Sequence, residues 1–514
     1  MKFQRSVNLW SLLLIAVGGM VGSGWLFGPF YAAKIAGPGA VIAWALGGVL
    51  MIVVALTFAE LATMFPIVGG TIRFLQFSHG PFVSFTFAWV GWISSAAVAP
   101  IETLALLQYA STYLPWLMHP VKGAYVLTSS GFIVAAFFLL LLCYINAIGV
   151  QVLAKTNFVI VTLKLLIPVV TIIVLLTYDF HGANFTSHGF LPYGWHAVLV
   201  ALPTAGIIFS FIGYSPAIQL AGEAKNPQKA IPFAILFALF ISMALYFFLQ
   251  FAFIGAVEAP AIQKGWHALS FIGESGPFVG IATVLGMAVL VKVLYADAVI
   301  SPMGTALLYT GSSARMCYAM CENGYMPKSL QAMNKYGVPS RIIGLNFILG
   351  LLLFLPFPAW QSMMSFLVSS LVLAYAVGPL ALIVLRRSMP EKARPFCLPC
   401  PLLICLLAFY ICNLIVFWTG WDTVSRMLMM IVVGYGFLFA YKIISRSKLL
   451  SFQMKHAWWV LVYLVLMGGT SYVGDFGGRN IVPFGWDFLM IGLVTVFIFL
   501  LAYTSGIYVE EGEE

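Results

Sequence analysis

Runs of about 20 apolar residues, the length that carries an α-helix across a bilayer, recur along almost the whole chain. Only 8% of its 514 residues are charged, 62% are hydrophobic, and the mean hydropathy is +1.02. A water-facing surface needs far more charge than this. A membrane β-barrel would instead read as short segments of alternating polarity, and none are seen. The chain therefore reads as an all-α polytopic membrane protein.

The apolar segments fall at residues 9–36, 39–65, 83–115, 127–148, 155–178, 197–222, 229–256, 278–320, 341–358, 362–385, 402–420, 424–444, 457–474 and 485–507. That is about fourteen spans. Segment 278–320 is too long for one upright helix, so it tilts, extends beyond the bilayer or includes a short helix at the outer face. The largest outer connections are 179–196 and 257–277, and the chain ends in a short acidic tail, EEGEE.

The formal net charge is +9. In a soluble protein that balance would suggest nucleic acid. Here the positive charges segregate instead. Lys2 and Arg5 precede the first span, and Lys155, Lys225, Lys229, Lys328, Lys335, Arg341, Arg386, Arg387, Lys392, Arg394, Lys442, Arg446, Lys448 and Lys455 fall in alternate connections. The other connections hold Lys34, Lys122, Lys264 and Arg479. The positive-inside rule then places the N-terminus in the cytoplasm, with the lipid bilayer as partner and no nucleic acid. The first apolar run is too long and too rich in glycine for a signal peptide. Seven cysteines are scattered. Cys397 and Cys400 form a CxxC without a second pair or a histidine pair beside it, so neither a metal nor another cofactor is expected.

Two spans are built to break. The first contains GGMVGSGWLFGP, Gly18 to Pro29, with five glycines and a proline. The sixth contains FSFIGYSP, Phe209 to Pro216, interrupted at Gly213 and Pro216. Five spans separate their starts, and an odd repeat inverts its second copy. That pattern points to an inverted-repeat transporter whose discontinuous helices meet near the bilayer midplane. Small residues for close helix packing would explain one such stretch, but less readily two at matching positions. Lipid cannot satisfy the freed backbone groups, so they must face protein or a watery cavity. The N–H groups of Val21, Gly22, Ser23, Gly24 and Trp25 suit a carboxylate, aided by the positive end of the following helix. Carbonyls of Phe209, Ser210, Phe211 and Ile212, beside Gly213, suit an ammonium group. Together they make a site for a zwitterion such as an α-amino acid, and Gly24 lets it approach the main chain.

These stretches resemble the first- and sixth-span signatures of permeases of the amino acid–polyamine–organocation superfamily, most specifically FSFIGYSPAIQLAGEAKNPQKAIP. FAELATMFPIVGG (58–70), ARMCYAMCENGYMPKSL (314–330), GVPSRIIG (337–344) and LRRSMPEKARPF (385–396) also match, so the resemblance covers about residues 5–400. It implies a LeuT-type fold of five plus five inverted spans in residues 1–400, leaving residues 401–514 as about four additional C-terminal spans and the tail. The stretches APIE and ADAVISP, with the extra spans, look like the aspartate–proton symporter branch. Ser215 stands where many relatives carry an acid, which leaves side-chain preference open.

Lys164 lies about ten residues inside the fifth span, too deep to snorkel easily, and an intramembrane lysine marks a functional site. It matches the lysine that proton-coupled members of the superfamily place against the broken first helix, where an ammonium replaces the sodium of related symporters. Asn157 fits the same pattern. By resemblance Phe209 is an aromatic gate over the ligand, and Tyr309 and Trp25 line the pocket. Glu102 in the third span can bind a cationic group or carry a proton. Asp297 is expected toward the outer end of the eighth span, in a structural or vestibule role, with Lys292 in reach as an ion-pair partner. Glu60, Glu223 and Lys225 read as structural groups near the cytoplasmic side, and Arg73 as a cytoplasmic loop residue.

The expected activity is secondary active uptake of an amino acid by alternating access, coupled to proton symport across a bacterial inner membrane. The rival is an amino acid or amine exchanger without net proton coupling. A membrane enzyme would carry a nucleophile with its base or an HExxH motif, and a channel a filter sequence or charge rings; neither is seen.

Overall fold

The computed structural model describes residues 7–67, 70–121, 123–148, 150–445 and 453–507, and for 150–157 and 445 the backbone alone. Lys2, Arg5, Lys122, Arg446, Lys448 and the acidic tail lie outside the described residues, as do the side chains of Lys155 and Asn157.

Helices α1 (Leu9–Met20) and α2 (Gly24–Ala36) form the first span and α3 (Ala40–Met64) the second. A ten-residue helix, α4 (Gly70–His79), leads into α5 (Pro81–Ala110). A small hairpin, β1 (Met118–Val121) with β2 (Ala124–Leu127), precedes α6 (Ser129–Ile148) and α7 (Val150–Tyr178). The sixth span is α8 (Gly194–Thr204), α9 (Ile207–Phe211) and α10 (Ser215–Gln219), followed by α11 (Pro227–Ala256). Then come α12 (Pro277–Val284), α13 (Ala288–Glu322), α14 (Ser340–Leu353) and α15 (Trp360–Ser388). The chain closes with α16 (Pro401–Trp418), α17 (Trp421–Ser445), α18 (Met454–Val473) and α19 (Trp486–Thr504).

Among the described residues, eleven helical stretches are long and apolar enough to cross a membrane, or twelve if the bent sixth span counts as one. All fourteen expected segments are helical; the difference arises because α14 is only 14 residues long and α2 runs on into α3 through a 3-10 turn at Gly37–Gly39. Segment 278–320 resolves into the short α12, a turn at Gly286 with φ +72°, and α13. At 35 residues α13 is about 52 Å long, well beyond the bilayer core. The hairpin and α4 are too short and too weakly patterned to have been read from the sequence.

Helix packing repeats with a two-fold pattern. Helix α3 packs on α11, α5 on α13, and α6 on α14, each pair being five spans apart. Helix α7 packs on α1, α11 and α13, and α15 packs on α9, α3 and α5, which is the same set with each helix exchanged for its counterpart. Five spans being odd, the two halves run in opposite senses, as in inverted-repeat transporters. The apolar 18-residue stretch of α5 is wholly enclosed and that of α15 is 94% buried, against 22% for α17. The core is therefore the broken helices wrapped by α5, α13 and α15. Helices α16, α17 and α19 pack on α15, α18 packs on α17 and α19, and Asp475 between α18 and α19 lies 3.4 Å from His196 on α8.

At the end of the bundle where the chain begins, Val7 pairs with the strand-like segment after α10: its N–H donates to Glu223 (3.0 Å) and its carbonyl accepts from Lys225 (2.9 Å). Glu223 faces Arg315 at 3.3 Å. Arg73, on α4 and not in a loop, pairs with Glu322 at the end of α13. Glu60, fully buried on α3, takes two bonds from Arg386 (2.7 and 2.6 Å) and one from the Leu398 N–H (2.8 Å). Arg386 also donates to Cys397 (3.3 Å). The structural role expected of Glu60 is thus the joining of α3, α15 and the segment that leads into α16.

The glycine pattern has a direct cause. A Cβ on Gly213 would strike the backbone of Gly19 and Met20, and one on Gly19 would strike Gly213. The two broken spans cross main chain against main chain at this point. Gly213→Ala is expected to abolish the melting transition of the folded protein in detergent, whereas Gly436→Ala, on an open face of α17, leaves it unchanged. Glu60→Gln strands Arg386 and is expected to cost about 3 kcal/mol, read as a lowered melting temperature.

Candidate functional site

Helix α1 stops at Met20 and α2 restarts at Gly24, leaving Val21 to Ser23 outside either helix. The polar groups freed there are met by side chains from four other helices. Lys164, fully buried on α7, donates to the Gly18 carbonyl at 2.8 Å and to the Thr305 hydroxyl at 2.7 Å. Thr305 on α13 reaches the Gly18 carbonyl (3.1 Å) and the Val21 carbonyl (3.3 Å). Tyr246 on α11 donates to the Met20 carbonyl at 2.8 Å. On the same face, Gly304 leaves room for the lysine, since a Cβ there would come within 3.0 Å of its Cε.

The amide groups divide into two sets. Val21 N–H bonds back to Val17 (2.9 Å) and Gly22 N–H to Met20 (3.1 Å). These two, expected to receive a carboxylate, are already engaged, because α1 ends in a tight turn instead of a fully open break. Ser23 N–H donates to Glu102 Oε2 at 2.9 Å. Gly24 and Trp25 open α2, and their N–H groups have no hydrogen-bond acceptor among the described residues. They stand at the positive end of a 13-residue helix, as an anion receptor requires.

Glu102 on α5 is fully buried, and its Oε1 has no hydrogen-bond partner. Gly22 lies against it: a Cβ there would collide with Oε1 and come within 2.8 Å of the Thr305 hydroxyl. Trp360 on α15 donates to the Ser23 hydroxyl at 2.9 Å. The break is thereby fastened to α5, α7, α11, α13 and α15 together.

The sixth span departs from a straight helix twice. It bends by 51° between α8 and α9, where Gly206 adopts φ +92°, and it tightens into a 3-10 turn at Ile212–Tyr214. The sequence pointed only to the second place, at Gly213; Gly206 supplies the left-handed conformation that makes the larger bend. The Ile212 carbonyl accepts from Tyr375 (3.0 Å) and Tyr309 (3.4 Å). Tyr309, expected to line the pocket, bonds to the sixth-span break, and Ile212, expected to face an ammonium, already has two phenol donors. Ser210 Oγ bonds to the Gly206 carbonyl (2.9 Å) and fills the space that a Cβ on Gly24 would need. Phe211 packs between Trp44 and Tyr246, with ring centroids 5.9 and 5.6 Å away, so its side chain belongs to the core. Phe209 lies edge-on to Trp360 at 6.2 Å, and its Cδ1 is 3.4 Å from where a Gly24 Cβ would be, so the ring covers the start of α2.

Asp297 departs from expectation. It is fully buried, accepts from the Trp25 indole N–H (3.1 Å) and from Ser301 (2.8 Å), and is turned away from the exposed Lys292. Five residues along an α-helix turn the side chain about 140° past a full turn, so Asp297 and Lys292 face different sides of α13. Trp25, Asp297, Ser301 and Thr305 therefore belong to the same neighbourhood as Lys164. Trp360, Tyr375, Tyr246 and Thr305 escaped notice in the sequence, because nothing distinguishes them from the many other aromatic and hydroxyl residues of apolar spans.

A cavity of about 340 Å³ opens beside Thr204, next to the Gly206 bend, lined also by Gln361, Ser365, Asp422 and Arg426. Its lining takes Ile35 from the end of α2 and none of the residues at either break. The arrangement offers two open amides, a buried carboxylate and a buried amine at one crossing of two discontinuous helices.

Residues 7–439 match the amino acid permease family. The chain is similar to the glutamate/serine transporter AimA of Bacillus subtilis, 37% identical over 517 residues, which covers 99% of this chain and 95% of that one. It is 33% identical over 512 residues to the aspartate-proton symporter of the same organism, covering 98% and 97%. It is 26% identical over 469 residues to the aromatic amino acid transport protein AroP of Escherichia coli K12, covering 87% and 98%. With its membrane-spanning helices, its inverted packing and a family match across most of its length, this chain is an integral membrane protein that belongs to the amino acid permease family.

Proposed function

We propose that the protein takes up an amino acid by alternating access, with a proton as the coupling ion. The observation that carries this reading is the bridge from Lys164 to the Gly18 carbonyl and Thr305, which joins α7 and α13 to the broken first span. A protonated amine holds α1 through the Gly18 carbonyl and steadies the Thr305 hydroxyl that reaches the same carbonyl. Loss of its proton removes the charge and weakens those bonds, freeing α1 to move. The amino acid binds between α2 and α9, its carboxylate on the Gly24 and Trp25 amides and its ammonium toward the carbonyls of Phe209 to Phe211. Phe209 closes over it. Residues 1–400 form the transport core, and α16 to α19 support it. The relatives carry glutamate, serine and aspartate by name, so small polar and acidic amino acids are the first substrates to test. The protein works as a transporter and not as an enzyme, in a bacterial inner membrane with its N-terminus in the cytoplasm.

In proteoliposomes, uptake of labelled substrate is expected to rise as the outside is made more acidic. Lys164→Met is expected to reduce gradient-driven accumulation at least about tenfold, the loss of a charge-assisted bond network, while leaving ligand-dependent thermal stabilisation in place. Undiminished pH-driven accumulation by that variant contradicts the coupling. Counterflow that is indifferent to the pH gradient in the unmodified protein favours the exchanger.

A further inference from the structure

We propose that Glu102 is a built-in competitor for the ligand's carboxylate: its own carboxylate occupies the receptor at the start of α2 until an amino acid displaces it. The inference rests on the reading that a carboxylate-bearing ligand binds at this break.

The geometry supports each part. Of the three amides at the start of α2, the one on Ser23 is held by Glu102 Oε2 at 2.9 Å, and those on Gly24 and Trp25 have no acceptor among the described residues. The Glu102 side chain comes from α5, a helix enclosed along its core stretch, so it is delivered to the break by a rigid scaffold. Its second oxygen, Oε1, is buried beside Gly22 without a partner. Glu60, by contrast, is bonded by three donors. Glu102 is half bonded, with its free oxygen directed at the hinge that must accept a ligand.

Displacement has a consequence for charge. A ligand carboxylate and an ionised Glu102 would share one water-poor site and repel, so Glu102 takes one proton from water as it leaves Ser23. The O–H bond forms on Glu102 as one breaks in the hydronium ion or buffer acid that supplies the proton, and the ligand's carboxylate replaces Glu102 as acceptor. The ionisable groups facing Glu102 are Lys164 on α7, Tyr246 on α11 and Tyr309 on α13, while Asp297 on α13 faces Lys164. Lys164 stays bonded to Gly18 and Thr305 throughout, so ligand arrival is registered on Glu102 and the movement of α1 on Lys164.

The test compares L-serine and L-glutamate with ethanolamine and 4-aminobutyrate, which lack the α-carboxylate. Calorimetry on the full chain in detergent, in two buffers of different ionisation enthalpy, gives affinity and protons taken up. In the unmodified protein, an amino acid that binds is expected to bring about one proton, and its amine none. Glu102→Gln is expected to bind that amino acid about fivefold tighter or better, with proton uptake abolished and amine binding unaltered. Equal proton uptake with amino acid and amine in the unmodified protein overturns the proposal without any variant. So does a Glu102→Gln protein that binds the amino acid more weakly or still takes up the proton. If the unmodified protein binds none of the common amino acids, the transport reading fails and takes this inference with it. If an amino acid binds without the Glu102 signature, only the inference fails.

Discussion

A helix interrupted inside a membrane exposes backbone groups that lipid cannot satisfy, and every feature of the core follows from where those groups find partners. The first span stops at Met20 and restarts at Gly24. Its freed carbonyls at Gly18, Met20 and Val21 are met by Lys164, Tyr246 and Thr305, from three different helices. The carbonyl of Ile212 in the sixth span is met by Tyr309 and Tyr375. Each of these bonds holds a broken element to a surrounding helix. In the alternating-access cycle proposed above, a change in any one of them shifts the balance between two positions of the break.

The two breaks are held together by the absence of side chains. Gly19 and Gly213 meet main chain to main chain, and Gly24 makes room for Ser210. This contact sets the start of α2 beside Phe209 and Ser210 of the sixth span. The same closeness puts Glu102 and Lys164 on opposite sides of one short turn, a buried acid at Ser23 and a buried base at Gly18. The two buried ionisable groups are therefore separated by only a few residues of backbone.

Much of this was legible in the sequence, and the reasons are physical. Apolar length announced the spans, and glycine clusters at a five-span interval announced the inverted repeat. Lys164 stood out because an unpaired amine in lipid is costly. The less legible parts depended on which face of a helix points where. Asp297 reads as an outer-end residue paired with Lys292, yet it turns inward to Trp25. Val21 and Gly22 read as open amides, yet a turn consumes both. The 51° bend at Gly206 is carried by one glycine among 47, and nothing in the sequence around it marks the bend. Tyr375 and Trp360 are one tyrosine among 22 and one tryptophan among 14, and only their positions give them work at the break.

The central claim is that the start of α2 receives a substrate carboxylate. Its most direct test is an electron cryomicroscopy structure of the protein saturated with an amino acid that it transports. The account predicts the carboxylate within hydrogen-bonding distance of the Gly24 and Trp25 amides, beneath the Phe209 ring. An amino acid held instead in the cavity lined by Gln361, Asp422 and Arg426, with the amides of α2 still empty, would contradict it.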